Sequence, residues 1–209
     1  MSKLKLIVLL VMLTFVITPT AFSMVNSSDL NISGKPNVEL NIGDKVSDFT
    51  INNYDGSSYT LSKNSGYTVV MFWSCECPFV QPYTERISSL AKDYSSKGIT
   101  FWAVNSNVTE STDRVKEHAK EKGYPFPVLK DDKSAVADLF NAQRTPEVFV
   151  INNSDMTLVY HGRIDDDKDA SKVSSSDLKN ALDNILAGQP VAVSTTKSFG
   201  CGVKRSESK

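Results

Sequence analysis

One stretch of this chain constrains the fold more than any other: an almost wholly apolar run that leads into two closely spaced cysteines. The run covers residues 67–73, and Cys75, Cys77 and Pro78 follow it. A near-continuous apolar segment of this length is typical of a parallel strand buried on both faces. Pro78 suits the first position of a helix, whose apolar positions are Tyr83, Ile87, Leu90 and Tyr94. We therefore predict a buried strand, a helix beginning at Pro78 and a kink at Pro82.

Strands and helices alternate along the rest of the central region. Alternating apolar residues on both sides of Asp55-Gly56 predict a hairpin near the N-terminus. The further predicted strands are 99–104, a short edge strand at 126–129, 147–151 and its hairpin partner 157–161. The further predicted helices are 111–122, 135–140 and a final helix with Leu178, Ala181, Leu182, Ile185 and Leu186 on one face. This order predicts an α/β domain with a mixed central β-sheet flanked by helices and an N-terminal β-hairpin extension.

The two ends of the chain differ from this central region. Lys3 and Lys5 precede the apolar stretch 6–17, and small residues up to Ser23 resemble a signal-peptidase site. The stretch is shorter than the roughly 18–20 residues of a membrane span, so we predict a periplasmic or secreted protein without stable membrane insertion after cleavage. The predicted divisions are a signal peptide at 1–23, a flexible segment at 24–42, the main domain at 43–189 and a C-terminal tail at 190–209 that carries Cys201 on a mobile stretch.

Composition excludes some classes of function. The net charge of −1 gives no sign of a nucleic-acid partner. The chain has three cysteines, an odd number that leaves at least one thiol for chemistry or intermolecular pairing in an oxidising compartment. The pattern indicates neither a metal site nor an organic cofactor.

Several short motifs, in this order, resemble the thioredoxin-like redoxins, the group that contains thiol–disulfide oxidoreductases and the AhpC/TSA peroxiredoxins. The matching segments are 43–49, 55–56, 70–73, 77–80, 145–150 and 162–165. The resemblance implies a thioredoxin-like fold for most of the predicted mature chain.

The resemblance also implies roles for individual residues. Cys77, four residues after Trp73, holds the position of the attacking cysteine, and a helix N-terminus there would stabilise its thiolate. Pro146 is expected to be cis beside this sulfur, with the Thr145 backbone available to an extended substrate peptide. Ser74 holds the place of a peroxide-binding hydroxyl, and Arg144 is a candidate anion stabiliser.

The second thiol is left open, because Val80 occupies the position of the usual second cysteine in Cys-x-x-Cys. Cys75 is the nearer candidate, but a bond between residues i and i+2 requires a curled backbone. Alternatively, Cys75 is a strand-end residue packed under the helix. Cys201 is the other candidate, since long loops cost little extra entropy to close.

The sequence thus predicts an exported thiol–disulfide oxidoreductase in which Cys77 attacks and Cys75 or Cys201 resolves. Its expected partners are protein or small-molecule thiols and disulfides, with a separate redox partner that resets the cysteines. Two alternatives remain open. One is a peroxiredoxin-like thiol peroxidase, and the other is a non-catalytic redoxin-fold binding module.

Overall fold

The computed structural model describes residues 39–205. The predicted signal peptide and most of the predicted flexible segment lie outside these residues. The strands are β1 (Phe49–Asn53), β2 (Ser58–Leu61), β3 (Tyr67–Phe72), β4 (Ile99–Asn105), β5 (Val128–Lys130), β6 (Arg144–Thr145), β7 (Glu147–Asn152), β8 (Thr157–Gly162) and β9 (Cys201–Gly202). The helices are α1 (Thr84–Ser95), α2 (Thr112–Lys122), α3 (Ala135–Phe140) and α4 (Asp177–Leu186), with 3-10 turns at Gln81–Tyr83 and Ala170–Lys172.

Seven strands form a mixed sheet in the order β2-β1-β5-β4-β3-β7-β8, while β6 and β9 form a separate short ladder. The predicted α/β class with a mixed central sheet and an N-terminal hairpin is therefore confirmed. The central strand β3 is parallel to β4 and antiparallel to β7. Its side chains alternate between two buried cores, because successive residues of a strand point to opposite faces. Val69 and Met71 pack with α1 and α4, whereas Val70 and Phe72 pack with α3 and the hairpin.

The prediction of an edge strand at 126–129 is wrong. The corresponding strand β5 lies inside the sheet, between β4 and β1. The N-terminal hairpin covers what would otherwise be an open edge, since Asn52 and Asn53 of β1 pair with Lys130 and Leu129.

The prediction that an α-helix begins at Pro78 is also wrong. The chain turns after Cys77, where the Val80 N–H donates to the Cys77 carbonyl at 3.0 Å, and α1 begins only at Thr84. Pro82 explains the delay, because its ring would clash with the carbonyl four residues earlier in a continuous α-helix. It lies instead at the start of the 3-10 turn, where its missing N–H is tolerated. At the end of the domain, Leu186 of α4 is exposed rather than on the buried face.

The described part of the C-terminal tail is docked on the domain rather than free, contrary to the expected mobile stretch. We call residues 190–205 the C-terminal segment. It runs parallel beside β8, where the His161 N–H donates to the Ser194 carbonyl at 2.9 Å and the Thr196 N–H donates to the His161 carbonyl at 3.0 Å. A Cβ on Gly162 would lie 2.8 Å from the Thr196 carbonyl oxygen and 2.9 Å from its backbone nitrogen, so this close approach requires glycine. No helix within residues 39–205 is long and apolar enough to span a membrane.

Candidate functional site

Two of the three cysteines meet at the carboxyl end of β3. The Sγ atom of Cys77, in the loop after this strand, lies 2.6 Å from the Sγ atom of Cys201 in β9. It also lies 3.2 Å from the carbonyl oxygen of Thr145. Cys77 is almost fully buried, with 3% of its surface exposed. The C-terminal segment therefore delivers a second sulfur directly to the cysteine that follows the buried strand.

The Ser74 side chain shapes the loop that carries Cys77. Its Oγ atom accepts hydrogen bonds from the backbone N–H groups of Cys77, at 3.0 Å, and Glu76, at 3.2 Å. The same hydroxyl donates its proton to the Glu110 Oε1 atom at 2.5 Å. The backbone N–H of Cys77 is therefore satisfied by the Ser74 side chain. Because α1 begins only at Thr84, Cys77 does not lie at the N-terminus of this helix, contrary to the expectation from the sequence.

Glu110 is a buried carboxylate that organises this end of the sheet. It is 2% exposed, and its two oxygens accept four hydrogen bonds. The four donors are the Ser74 hydroxyl at 2.5 Å, the Asn107 amide at 2.6 Å, and the Cys75 N–H and the Asn105 amide, both at 2.7 Å. Burial by itself would raise the pKa of Glu110, but these hydrogen bonds outweigh it and lower the pKa below the ordinary value. Glu110 is therefore an ionised group held by neutral donors.

Cys75 belongs to this polar network rather than to the sulfur pair. Its backbone N–H bonds Glu110, and its Sγ atom accepts a long contact from the Asn105 amide at 3.9 Å. Burial raises the pKa of the Cys75 thiol to about 12, with the charge and hydrogen bond of Glu110 adding to the effect. The thiolate is the reactive form of a cysteine, so this environment disfavours the reactive form of Cys75 near neutral pH.

The short ladder of β6 and β9 holds Cys201 in place. Thr145 pairs with Cys201, and Arg144 pairs with Gly202, in antiparallel register. The Thr145–Pro146 peptide bond is cis, as predicted. The Thr145 backbone, which was predicted to pair with a substrate peptide, is thus paired with the chain's own Cys201.

The environment of the Cys201 thiol also depends on Cys77. Burial, followed by the hydrogen bond and charge of the Cys77 sulfur, raises the pKa of Cys201 to about 11. The Phe79 backbone N–H opposes this effect by bonding the Cys201 sulfur. Cys201 is partly exposed, whereas Cys77 is not, so solvent reaches the pair from the Cys201 side.

The remaining predicted residues take different positions. Arg144 is exposed, and its guanidinium contacts the Gly200 carbonyl at 3.4 Å. Ser74 is 2% exposed and its proton is committed to Glu110. Among residues 39–205, no group of three or more His, Cys, Asp or Glu side chains is arranged to hold a metal ion.

Sequence reasoning missed Glu110, Asn105 and Asn107. A signal exists for the two asparagines, because Asn105 ends the buried strand β4, which runs parallel to β3, and Asn107 lies two residues further on. The carboxyl ends of adjacent parallel strands lie at one edge of the sheet, so polar residues there are candidates for the same site. Nothing in the pattern marks Glu110 itself, since it comes from the loop that precedes α2.

Comparison with known proteins assigns the chain to a family. Its sequence matches the AhpC/TSA family over residues 42–161, more than half of the chain. That region contains Cys75, Cys77 and Pro146, but not Cys201. A curated relative, the thiol-disulfide oxidoreductase ResA of Bacillus subtilis (strain 168), is 29% identical over 111 residues, or 53% of this chain. The match spans only 61% of the length of ResA.

Two solved structures resemble most of the chain. An uncharacterised conserved protein from Geobacillus kaustophilus is 34% identical with a TM-score of 0.75, covering 81% of this chain and 95% of its own. A hypothetical protein from Sinorhizobium meliloti 1021 is 33% identical with a TM-score of 0.74, covering 82% and 98%. The mixed sheet, the cysteine loop and these matches together show that this chain belongs to the AhpC/TSA family of thioredoxin-like redoxins, as a relative of thiol–disulfide oxidoreductases.

Proposed function

We propose that this protein is an exported thiol–disulfide oxidoreductase that uses Cys77 as nucleophile and Cys201 as resolving thiol. The observation that carries the proposal is the 2.6 Å separation of the Cys77 and Cys201 sulfur atoms. Cys75, the alternative resolving thiol, is 5% exposed and bound into the Glu110 network. The export part of the proposal rests on the N-terminal sequence alone.

In the first step, the Cys77 thiolate attacks one sulfur of a substrate disulfide. A bond forms between Cys77 and that sulfur, the substrate S–S bond breaks, and the second substrate sulfur leaves as a thiolate with the electron pair. Before deprotonation, the Cys77 thiol donates to the Thr145 carbonyl oxygen at 3.2 Å, which fixes the position of its sulfur.

In the second step, the Cys201 thiolate attacks the Cys77 sulfur of the mixed disulfide. The Cys77–Cys201 bond forms and the remaining substrate sulfur leaves as a thiolate, so the substrate has gained two electrons. Burial is the largest cause of the raised pKa of Cys201, and the Cys77 sulfur adds to it. The Cys77 contribution is removed once Cys77 is covalently occupied, which favours formation of the Cys201 thiolate. A dithiol reductant then restores both thiols, and the same steps in reverse would oxidise a dithiol substrate.

The geometry favours disulfide exchange over the peroxidase alternative. A hydroxyl that holds a peroxide must direct its proton toward the substrate, but Ser74 donates its proton to Glu110. Arg144 lies against the Gly200 carbonyl at the surface. Rapid oxidation of Cys77 by hydrogen peroxide to a sulfenic acid would reverse this preference. A purely binding role would require that partner capture survive the Cys77→Ser substitution.

Peptide mapping of the oxidised protein tests the pairing directly. Trypsin leaves Cys75 and Cys77 on one fragment, residues 64–86, because no Lys or Arg lies between Lys63 and Arg86. Cys201 lies on fragment 198–204. We expect a cross-linked pair of these fragments in the unreduced digest. Loss of two hydrogens within fragment 64–86 would instead identify a Cys75–Cys77 bond and contradict the proposal.

Turnover of the cysteine variants tests the roles. Reduction of a small disulfide, driven by dithiothreitol, is expected to fall by roughly a thousandfold in Cys77→Ser, the order of effect that follows removal of a nucleophile. Cys201→Ser should accumulate the mixed disulfide on Cys77. Cys75→Ser is the matched control, and a similar loss in that variant would show that Cys75 takes part in the exchange.

A further inference from the structure

The C-terminal segment lies where an extended substrate peptide would bind. Resting on the function proposed above, and on substrate peptides that bind at the Thr145 edge as the family resemblance implies, we propose that this segment occupies the edge as an internal substrate mimic and that the edge selects a cysteine immediately preceded by glycine. External protein disulfides and the C-terminal segment would then bind this edge in a mutually exclusive way.

The backbone pairing supports this assignment. Cys201 pairs with Thr145 in antiparallel register, and its sulfur lies 2.6 Å from the Cys77 sulfur. A substrate cysteine must bring its own sulfur to the same place for Cys77 to attack it. Addition of an extended strand to a free edge gives affinity through main-chain hydrogen bonds, and Cys201 with Gly202 already forms such a strand. While it is present, Cys77 is 3% exposed, so a bulky disulfide has no approach.

Gly200 supplies the selectivity. A Cβ on this residue would lie 2.2 Å from the Thr145 carbonyl oxygen and 2.9 Å from the Thr145 carbonyl carbon, and its φ angle is +140°. Both the contact and the backbone conformation exclude other residues. Gly202, on the other side of Cys201, has open space around the position of a Cβ. A substrate that pairs with Thr145 in the same register therefore requires glycine before its cysteine and tolerates other residues after it.

Further contacts hold the segment over the site without covalent bonds. The Val203 N–H donates to the Gln143 carbonyl at 3.0 Å, and the Lys204 N–H donates to the Asn107 Oδ1 atom at 2.8 Å. The Val108 N–H donates to the Lys204 carbonyl at 2.9 Å. These are hydrogen bonds between uncharged groups, each worth about 0.5–1.5 kcal/mol net, so the segment can leave the edge and return to it. On return it would bring Cys201 to the mixed disulfide and displace the bound peptide.

The experiment uses the full chain with Cys201→Ser, which retains the segment but cannot resolve a mixed disulfide. The probe is a peptide with the sequence of residues 198–203, whose cysteine carries a nitrothiobenzoate group through a disulfide. Attack by Cys77 joins the peptide sulfur to Cys77 and releases the coloured nitrothiobenzoate thiolate. A second peptide has alanine in place of the glycine before cysteine, and 2-hydroxyethyl disulfide serves as a small probe.

Gly200→Ala is the variant that should open the edge, and Gly202→Ala is its matched comparison. We expect Gly200→Ala to accelerate capture of the glycine peptide by about tenfold or more, since the rate follows the fraction of molecules with a free edge. Gly202→Ala should stay within about threefold of its parent, because its methyl group meets no atom. In the opened variant, the alanine peptide should react about tenfold more slowly than the glycine peptide.

The inference would be overturned if the Cys201→Ser parent, Gly200→Ala and Gly202→Ala captured the glycine peptide at equal rates. It would also be overturned if the opened variant captured the glycine and alanine peptides at equal rates. Either result would leave the proposed function intact. Failure of Cys77 to react even with 2-hydroxyethyl disulfide in every variant would overturn both. Lys204→Pro provides a second route, because it removes the N–H that bonds Asn107 without changing Gly200. It should also accelerate capture of the glycine peptide, and circular dichroism with thermal unfolding establishes that each variant is folded.

Discussion

Cys75 and Cys201 are both candidates for the thiol that resolves a mixed disulfide on Cys77, and they lie in opposite environments. Cys75 is two residues from Cys77 in the chain, yet its backbone and sulfur are held by Glu110 and Asn105. Cys201 is 124 residues away, yet its sulfur touches that of Cys77. The difference teaches that closeness in sequence does not make two sulfurs partners, because a neighbouring residue must follow the local backbone while a distant segment can approach from any side.

The largest effect should come from forming the Cys77–Cys201 bond. A cross-link across a loop of this length is expected to raise the free energy of unfolding by about 5 kcal/mol in the chain-entropy description. Urea unfolding of the oxidised and reduced proteins measures the difference. It should vanish in Cys201→Ser and persist in Cys75→Ser. Persistence in Cys201→Ser would mean that the two thiols have exchanged roles.

Substitution of Glu110 tests the hydrogen-bond network that surrounds Cys75. Glu110→Gln replaces an oxygen that accepts hydrogen bonds with an N–H group that faces other donors, so it should lower the free energy of unfolding by about 2 kcal/mol or more. Glu117→Gln is the control, since Glu117 pairs with Arg114 at the surface of α2 and should change stability by less than about 0.5 kcal/mol. Equal effects in urea unfolding would show that the Glu110 network adds nothing.

A smaller effect on the cysteine pair is expected from Asn107, which joins the Glu110 network to the C-terminal segment. Its amide donates to Glu110 at 2.6 Å, and its carbonyl oxygen accepts the Lys204 N–H at 2.8 Å. Asn107→Ala should weaken docking of the C-terminal segment and lower the effective concentration of Cys201 at Cys77 by about tenfold. The equilibrium between dithiol and disulfide forms in glutathione buffers measures this quantity.

Asn184→Ala is the matched control for that measurement. Asn184 also bonds the C-terminal segment, through the Ala192 N–H at 3.1 Å, but far along the chain from Cys201. It should leave the equilibrium unchanged. An equal shift in both variants would show that general loosening of the segment, rather than the link to Glu110, controls the cysteine pair.

The smallest effect should be the change with pH in the stability that ionised Glu110 contributes. Its pKa is lower in the folded protein than its ordinary value, so ionised Glu110 contributes stability above its unfolded pKa of about 4.3. That contribution is lost as pH falls through the lower folded pKa. The difference in unfolding free energy between the parent and Glu110→Gln should therefore shrink on acidification from pH 7 toward 3. A difference that is constant over this range would contradict the ionised state of Glu110.

Much of the fold could be predicted from the sequence, because its signals are local. The apolar run 67–73 and the turn at Asp55-Gly56 each specify their own element through periodicity or backbone conformation. Gly123, the residue after the predicted helix 111–122, ends that helix in the left-handed conformation that glycine favours. The sequence predicts a kink at Pro82 but not the delayed start of α1. Whether a proline kinks a helix or shifts its first residue depends on which turn of the helix the proline occupies. The position of β5 was missed because pairing with β1 is a long-range property of the sheet.

The candidate site depends even more on long-range contacts that local sequence patterns do not predict. Sequence order and resemblance indicated Cys77, Thr145 and the cis Pro146, which lie within or beside the strands of the fold. They left Cys75 and Cys201 unresolved, and they gave no sign of Glu110. The residues that separate these alternatives come from the end of β4, the single loop between β4 and α2, and the C-terminal segment, and only chain packing brings them together.

The sequence by itself determined the α/β architecture, the redoxin family and the location of a cysteine at the end of the central strand, because apolar periodicity and short motifs are encoded locally. Only the tertiary structure decided that Cys201 lies against Cys77, that Cys75 is withdrawn into a buried carboxylate network, and that the C-terminal segment occupies the Thr145 edge. These outcomes depend on contacts between residues that lie 35 to 124 positions apart in the chain, which no local pattern records.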